Sequence, residues 1–141
     1  MEELSDHENR VSRAVLDAAF AVHNHLGPGL LESVYEICLM HELQKAGHQV
    51  RRQIAVPVIY DRVKMEAGFR LDLLVDEAVI VECKAVEELH PITASQVFTY
   101  LKLTGKRLGL VINFNVKLLQ KGIKRVICTA NSQARAPIPP A

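Results

Sequence analysis

Two carboxylates and a lysine sit inside two short apolar runs, and few folds can accommodate that. The runs are Phe69-Arg70-Leu71-Asp72-Leu73-Leu74-Val75 and Val79-Ile80-Val81-Glu82-Cys83-Lys84, separated only by Asp76-Glu77-Ala78. Short apolar segments joined by so brief a turn read as a β-hairpin in a core. A carboxylate is costly to bury unless it is paired or bound to a metal. Asp72, Glu82 and Lys84 in such a hairpin therefore ask for a divalent cation, and that cation suggests phosphodiester hydrolysis.

Parity sharpens the expectation. Directly opposed residues of an antiparallel pair have a constant index sum. A three-residue loop centred on Glu77 opposes Asp72 to Glu82 and Leu74 to Ile80. Asp72, Glu82 and Lys84 then share one face, and Leu71, Leu73, Val75, Val79, Val81 and Cys83 form an apolar second face. An even loop would separate the two carboxylates unless a bulge intervened.

The residue types suit the chemistry. Magnesium takes a few carboxylate oxygens and completes its octahedron with water. The carboxylates of Asp72 and Glu82 and the backbone carbonyl of Cys83 are candidate ligands. Lys84 projects to the same face, where its ammonium could orient a water or offset charge in a pentavalent transition state. The plainer alternative is an ion pair of Lys84 with Asp72 or Glu82 at a sheet edge, which an isolated pattern of this kind more often is.

The rest of the chain frames the hairpin. Residues 5 to 26 read as a helix capped by Ser5 or Asp6, with an apolar stripe of Val11, Ala14, Val15, Ala18, Ala19, Val22 and Leu26. Gly27-Pro28-Gly29 ends it. A second helix is expected from Leu30 to Ala46, with Leu31, Val34, Cys38 and Met40 facing inward. Gln49 to Tyr60 reads as a strand, and Pro57 places it at an edge or a bulge. Pro91 opens a third helix to Leu103. Strands are expected at Arg107 to Phe114 and Ile123 to Thr129. The order ααβββαββ is α/β with a mixed sheet. Residues 1–129 form one expected domain, and the Ala- and Pro-rich tail at 130–141 is expected to be disordered.

Bulk numbers exclude rather little. A net charge of +1 over 141 residues neither suggests nor opposes a nucleic-acid partner. No apolar run is long enough to cross a membrane. The acidic N-terminus lacks the layout of a secretory signal. Cys38, Cys83 and Cys128 are widely spaced in apolar surroundings, which reads as reduced thiols in a cytoplasmic protein. A Rossmann fingerprint, a Walker A loop and a zincin motif are all missing. His23 and His25 point in different directions on one helix, and His90, just before the third helix, reads as a solvated loop histidine, with a phosphate contact as the alternative.

Two helices add polar residues at one-face spacing. Gln96 and Tyr100 are four apart on the third helix, and Glu32 and Tyr35 three apart at the start of the second. By itself Glu32 would serve the helix dipole. Together the residues resemble a known family. Gly29-Leu30-Leu31-Glu32-Ser33-Val34-Tyr35 is similar to the motif of the GxxExxY proteins. Asp72, Glu82-Cys83-Lys84 and Gln96-Val97-Phe98-Thr99-Tyr100 follow the order of the PD-(D/E)XK nuclease superfamily. Leu71 stands where that pattern has its proline.

The resemblance implies a restriction-endonuclease-like core, a central mixed β-sheet flanked by α-helices. It implies that Asp72 and Glu82 bind Mg2+, with Mn2+ able to substitute, and that Glu32 can join them. It makes Lys84 catalytic, and gives Gln96 and Tyr100 a part in positioning nucleic acid, with DNA the expected substrate. The expected activity is metal-dependent nuclease. The alternative is a catalytically silent module of the same fold that binds nucleic acid or a protein partner. A homodimer is compatible with either.

Overall fold

Ser5 begins the first helix with a reciprocal cap. Its hydroxyl accepts the Glu8 N–H at 3.0 Å, and the Glu8 carboxylate accepts the Ser5 N–H at 2.8 Å. In a computed structural model of the chain, described over residues 3–129 and 135–141, this helix is α1, Asp6–Leu26. There follow α2 (Glu32–Lys45), β1 (Val50–Tyr60), β2 (Val63–Val75), β3 (Val79–Lys84), α3 (Ile92–Thr104), β4 (Leu108–Asn113), a short 3-10 turn (Leu119–Gly122) and β5 (Ile123–Ile127). No helix among the described residues is long and apolar enough to cross a membrane.

The second helix differs from its expected form. It begins at Glu32, and its buried residues are Tyr35, Glu36, Leu39 and Leu43. Leu31 is 73% exposed, and Val34, Cys38 and Met40 are only partly buried. Tyr35 sets this rotation. Its ring stacks on Phe114 at 4.7 Å. Its hydroxyl donates to the Gly27 carbonyl at 2.7 Å and accepts the Leu30 N–H at 3.0 Å. A large ring with both polar partners satisfied outweighs a leucine's preference for the interior.

Five strands form one sheet in the order β1-β2-β3-β4-β5. Only β3 and β4 run parallel, and α3 makes the crossover between them. The sheet is therefore mixed, and with helices on both faces the fold is restriction-endonuclease-like. Against one face, α1 and α2 pack on Leu73, Val75, Val79, Val81 and Cys83. Against the other, α3 packs on Leu74, Ile80 and Val111. Pro57 lies on edge strand β1, where the pairing with β2 shifts between Val56 and Val58.

The hairpin has the register that parity required, with Leu73 opposite Val81, Leu74 opposite Ile80 and Val75 opposite Val79. Its two-face pattern is broken at one point. Leu71 was expected beside Leu73 and Val75, but it packs in the α3-side core. On β1, Val50 and Ile54 likewise lie in opposite cores. The break is at Gln53, whose φ of 53° departs from strand geometry. Pairing resumes on either side of it, at Arg52 with Leu73 and Ile54 with Leu71, but not between Gln53 and Asp72.

Residues 130–134 of the tail lie outside the described residues. In residues 135–141, Arg135, Pro137, Pro140 and Ala141 are exposed, and Ile138 and Pro139 are partly buried. Ala136 is buried, the Arg135 and Ala136 N–H groups donate to the Leu103 carbonyl, and Arg51 reaches the Pro139 carbonyl.

Candidate active site

Asp72 and Glu82 lie where the hairpin's backbone ladder gives out. The Asp72 Oδ2 accepts the Cys83 N–H at 2.9 Å, and Glu82 Oε1 accepts the Asp72 N–H at 3.3 Å. The two side chains thus take bonds that the strands would otherwise make to each other. This places both carboxylates between β2 and β3, next to the central strand of the sheet.

Glu82 is 6% exposed, and burial followed by the Asp72 charge pushes its carboxyl up to about 8. Lys84 and the Asp72 N–H oppose that rise, while Glu32 adds to it. Glu32 opens α2 and faces the same groups. Desolvation raises its carboxyl above the ordinary range, Asp72 adds to the rise, and Lys84 and the Ala85 N–H hold it down. The sheet and α2 therefore bring Asp72, Glu82, Glu32 and Lys84 into one electrostatic group.

Lys84 is half-buried on β3, flanked by β2 and β4. No described carboxylate lies within ion-pairing distance of its ammonium. The sheet-edge ion pair is thus not what the lysine forms, and the strand is not an edge. The Cys83 thiol is fully buried, and burial raises it well above its ordinary value. What Cys83 offers the site is its backbone.

From α3, Tyr100 stacks on Phe69 at 4.5 Å. Burial raises its hydroxyl above the usual range, and the charges of Glu82 and Asp72 raise it further. Gln96 is exposed one turn earlier, and makes no hydrogen bond to the carboxylates among the described residues. Of the pair on this helix, Tyr100 is the one brought to the group.

Two residues of the site escaped sequence reasoning. Glu36 is 4% exposed, and its carboxylate takes Gln53 Nε2 at 2.6 Å and Arg52 Nε at 3.2 Å. Burial raises Glu36, Asp72 adds to that, and the Gln53 and Arg52 hydrogen bonds work against it. Gln53 Nε2 also stands 3.3 Å from Asp72 Oδ1, so one amide bridges two carboxylates. Glu36 was findable, since it lies one turn after Glu32 on the same helix face. Nothing in the type or neighbours of Gln53 announces a left-handed backbone.

Among the described residues, no three His, Cys, Asp or Glu side chains are already gathered as a metal cage. The donor set nevertheless fits a hard divalent ion. Its members are carboxylate oxygens, which magnesium prefers over nitrogen or sulfur. Burial first, and then the charge of Asp72, disfavours the ionised forms of Glu82 and Glu32, and a cation would offset both effects.

No curated protein and no solved structure matches the chain. A family model for the PD-(D/E)XK nuclease superfamily matches residues 9–126. That span takes in all or part of every helix and strand from α1 to β5, so the match covers the fold together with the acidic group, and the chain belongs to the PD-(D/E)XK nuclease superfamily.

Proposed function

We propose that the chain is a magnesium-dependent nuclease that hydrolyses phosphodiester bonds of nucleic acid, with DNA as its substrate. One observation carries the reading: three carboxylates act on one another across the hairpin and α2, beside a lysine that pairs with none of them. Asp72 and Glu82 would hold the metal through their carboxylates, Cys83 through its backbone carbonyl, and Glu32 would reach it from α2. Mn2+ would serve in place of Mg2+. When bound, such an ion lowers the pKa of a water and neutralises phosphate charge.

The chain's own groups do the rest. Lys84 orients the attacking water and offsets charge growing on the phosphoryl oxygens. Tyr100 stays protonated at neutral pH, so its hydroxyl is a donor to the substrate backbone. Gln96, exposed on the same helix, would contact the substrate strand beside it. We further assign the chain to the GxxExxY proteins. In support, Gly29 takes a φ of 103°, Tyr35 ties the turn to α2, and Glu32 faces Lys84.

The test uses labelled single-stranded, duplex and branched DNA and RNA, with Mg2+ or Mn2+. Wild-type protein is expected to cut, and Asp72→Ala and Lys84→Ala to abolish cleavage with the fold retained. Cleavage that survives both substitutions would overturn the assignment. Binding of DNA without product, across all substrates, would favour the silent module instead.

A further inference from the structure

The first turn of α3 borders a cavity of about 210 Å³ on the α3 side of the sheet. Its polar lining is His90, Thr93 and Lys124, and its apolar lining includes Leu89, Ala94 and Val111. No carboxylate lines it among the described residues.

Each polar group presents a proton. Thr93 is 8% exposed, and its hydroxyl has no hydrogen-bond partner among the described residues. Every fully enclosed side-chain polar atom in the described structure is partnered, so the accessible sliver of Thr93 includes that hydroxyl, and Thr93 lines this cavity. The Nδ1 of His90 stands 3.1 Å from the Ile92 N–H and accepts it. Neutral imidazole accepting at Nδ1 carries its proton on Nε2. Lys124 is exposed and forms no ion pair with any described carboxylate. These donors stand at the positive end of a 13-residue helix. Three donors, no acidic wall and a helix N-terminus make a receptor for a tetrahedral anion.

Position supplies the function. Glu82 on β3 is in register with Val111 on β4, and Val111 with Lys124 on β5. The cavity therefore lies in the same row of the sheet as Glu82. Two strand spacings, about 10 Å, separate Lys124 from Glu82 along that row. A nucleic-acid strand that lays one phosphate at the carboxylates has a neighbouring phosphate within reach of the cavity.

We propose that the cavity at the start of α3 is a phosphate-binding subsite, formed by Thr93, Lys124 and His90, that seats a substrate phosphate flanking the scissile one. The role in cleavage rests on the nuclease reading, whereas binding of the anion does not. The phosphate has two sources, an internal phosphodiester or a terminal phosphomonoester, and both present the same oxygens to the same donors.

Inorganic phosphate, without metal, is the first probe. Titrated into 15N-labelled protein, it is expected to give saturable amide shifts at Thr93 and Ala94. Thr93→Val, nearly isosteric, and Lys124→Ala, at an exposed position, should each weaken binding by about tenfold. Shifts that are absent, or that persist unchanged in both variants, would overturn the subsite.

Cleavage kinetics then locate its source, using oligonucleotides with phosphate or hydroxyl ends. A preference for phosphorylated ends that Thr93→Val removes identifies a terminal phosphate. A rise in KM at constant kcat for every end identifies an internal one. Unchanged KM in both variants would overturn the role in cleavage. Should wild-type protein cut nothing, the nuclease reading fails, and the phosphate titration still decides whether the subsite exists.

Discussion

At the scale of single residues, the site is organised by a glutamine in an unfavourable conformation. Gln53 holds φ at 53°, which a side chain bearing a Cβ adopts at a cost of about 1–3 kcal/mol. In return its amide reaches both Glu36 and Asp72. In the proposed metal site Asp72 is a ligand, and contacts behind a ligand commonly govern affinity. Gln53→Ala should weaken Mn2+ binding about tenfold, measured by calorimetry, while Gln53→Asn restores part of it. Unchanged affinity would show that the amide does not hold Asp72. Glu82 bears the opposite kind of strain, a carboxylate buried beside like charges. Glu82→Gln should raise the thermal midpoint of the metal-free protein at pH 8 by roughly 2–4 °C for each kcal/mol of repulsion removed. With the proposed metal site, Mg2+ should stabilise the wild type, and the same substitution should remove that effect. A lower midpoint in the metal-free variant would contradict the charge excess.

At the scale of elements, the distance between α3 and the sheet decides where Tyr100 stands. Gly109 on β4 permits the approach, since a Cβ there would lie 2.6 Å from Val97 Cγ1. Val97 is fully buried, so it has little room to yield. Gly109→Ala should cost about 1–3 kcal/mol in denaturant unfolding. Val97→Ala in the same chain should recover part of that loss, a coupling readable from a double-mutant cycle. Simple additivity would mean that α3 does not rest on this contact. The elements also show why α2 buries a different face from the expected one. Its apolar residues admit several stripes, and the spacing of Leu31, Val34 and Cys38 is a legitimate helical one. Tyr35 selects another because Phe114, far along the chain, supplies a stacking surface.

At the scale of the whole molecule, Arg107 ties the start of β4 to the first turn of α1. Its Nε stands 3.2 Å from Glu8 Oε2, and its Nη2 bonds Oε1. Burial pushes the Glu8 carboxyl up, but the hydrogen bonds from Arg107 and from Ser5 together outweigh burial and leave it below the ordinary value. A carboxyl lowered by folding contributes stability above its unfolded pKa of about 4.5, and loses it as pH falls through the folded value. Glu8→Gln should therefore cost about 1 kcal/mol at pH 7, and the difference from wild type should shrink as pH falls below about 4.5. A difference independent of pH would assign the effect to packing of α1 rather than to charge.

The hairpin register, the order of elements and most of the acidic group were legible in the sequence. Index sums are arithmetic, and the turn at Asp76-Glu77-Ala78 is local, so the pairing of Leu74 with Ile80 followed from spacing alone. Pro57 announced its edge strand for an equally local reason, the missing N–H. The pleat break at Gln53, the bridge to Glu36 and the cavity beside Thr93 were not legible. Each depends on residues brought together across the chain, 53 with 72, 36 with 53, 93 with 124. Alternation along a strand carries no mark of a single left-handed residue, and a helix face acquires its neighbours only when the sheet is assembled. Sequence determined which side chains the protein would gather between β2 and β3, and tertiary structure decided which of them carry the charge there and what holds them in place.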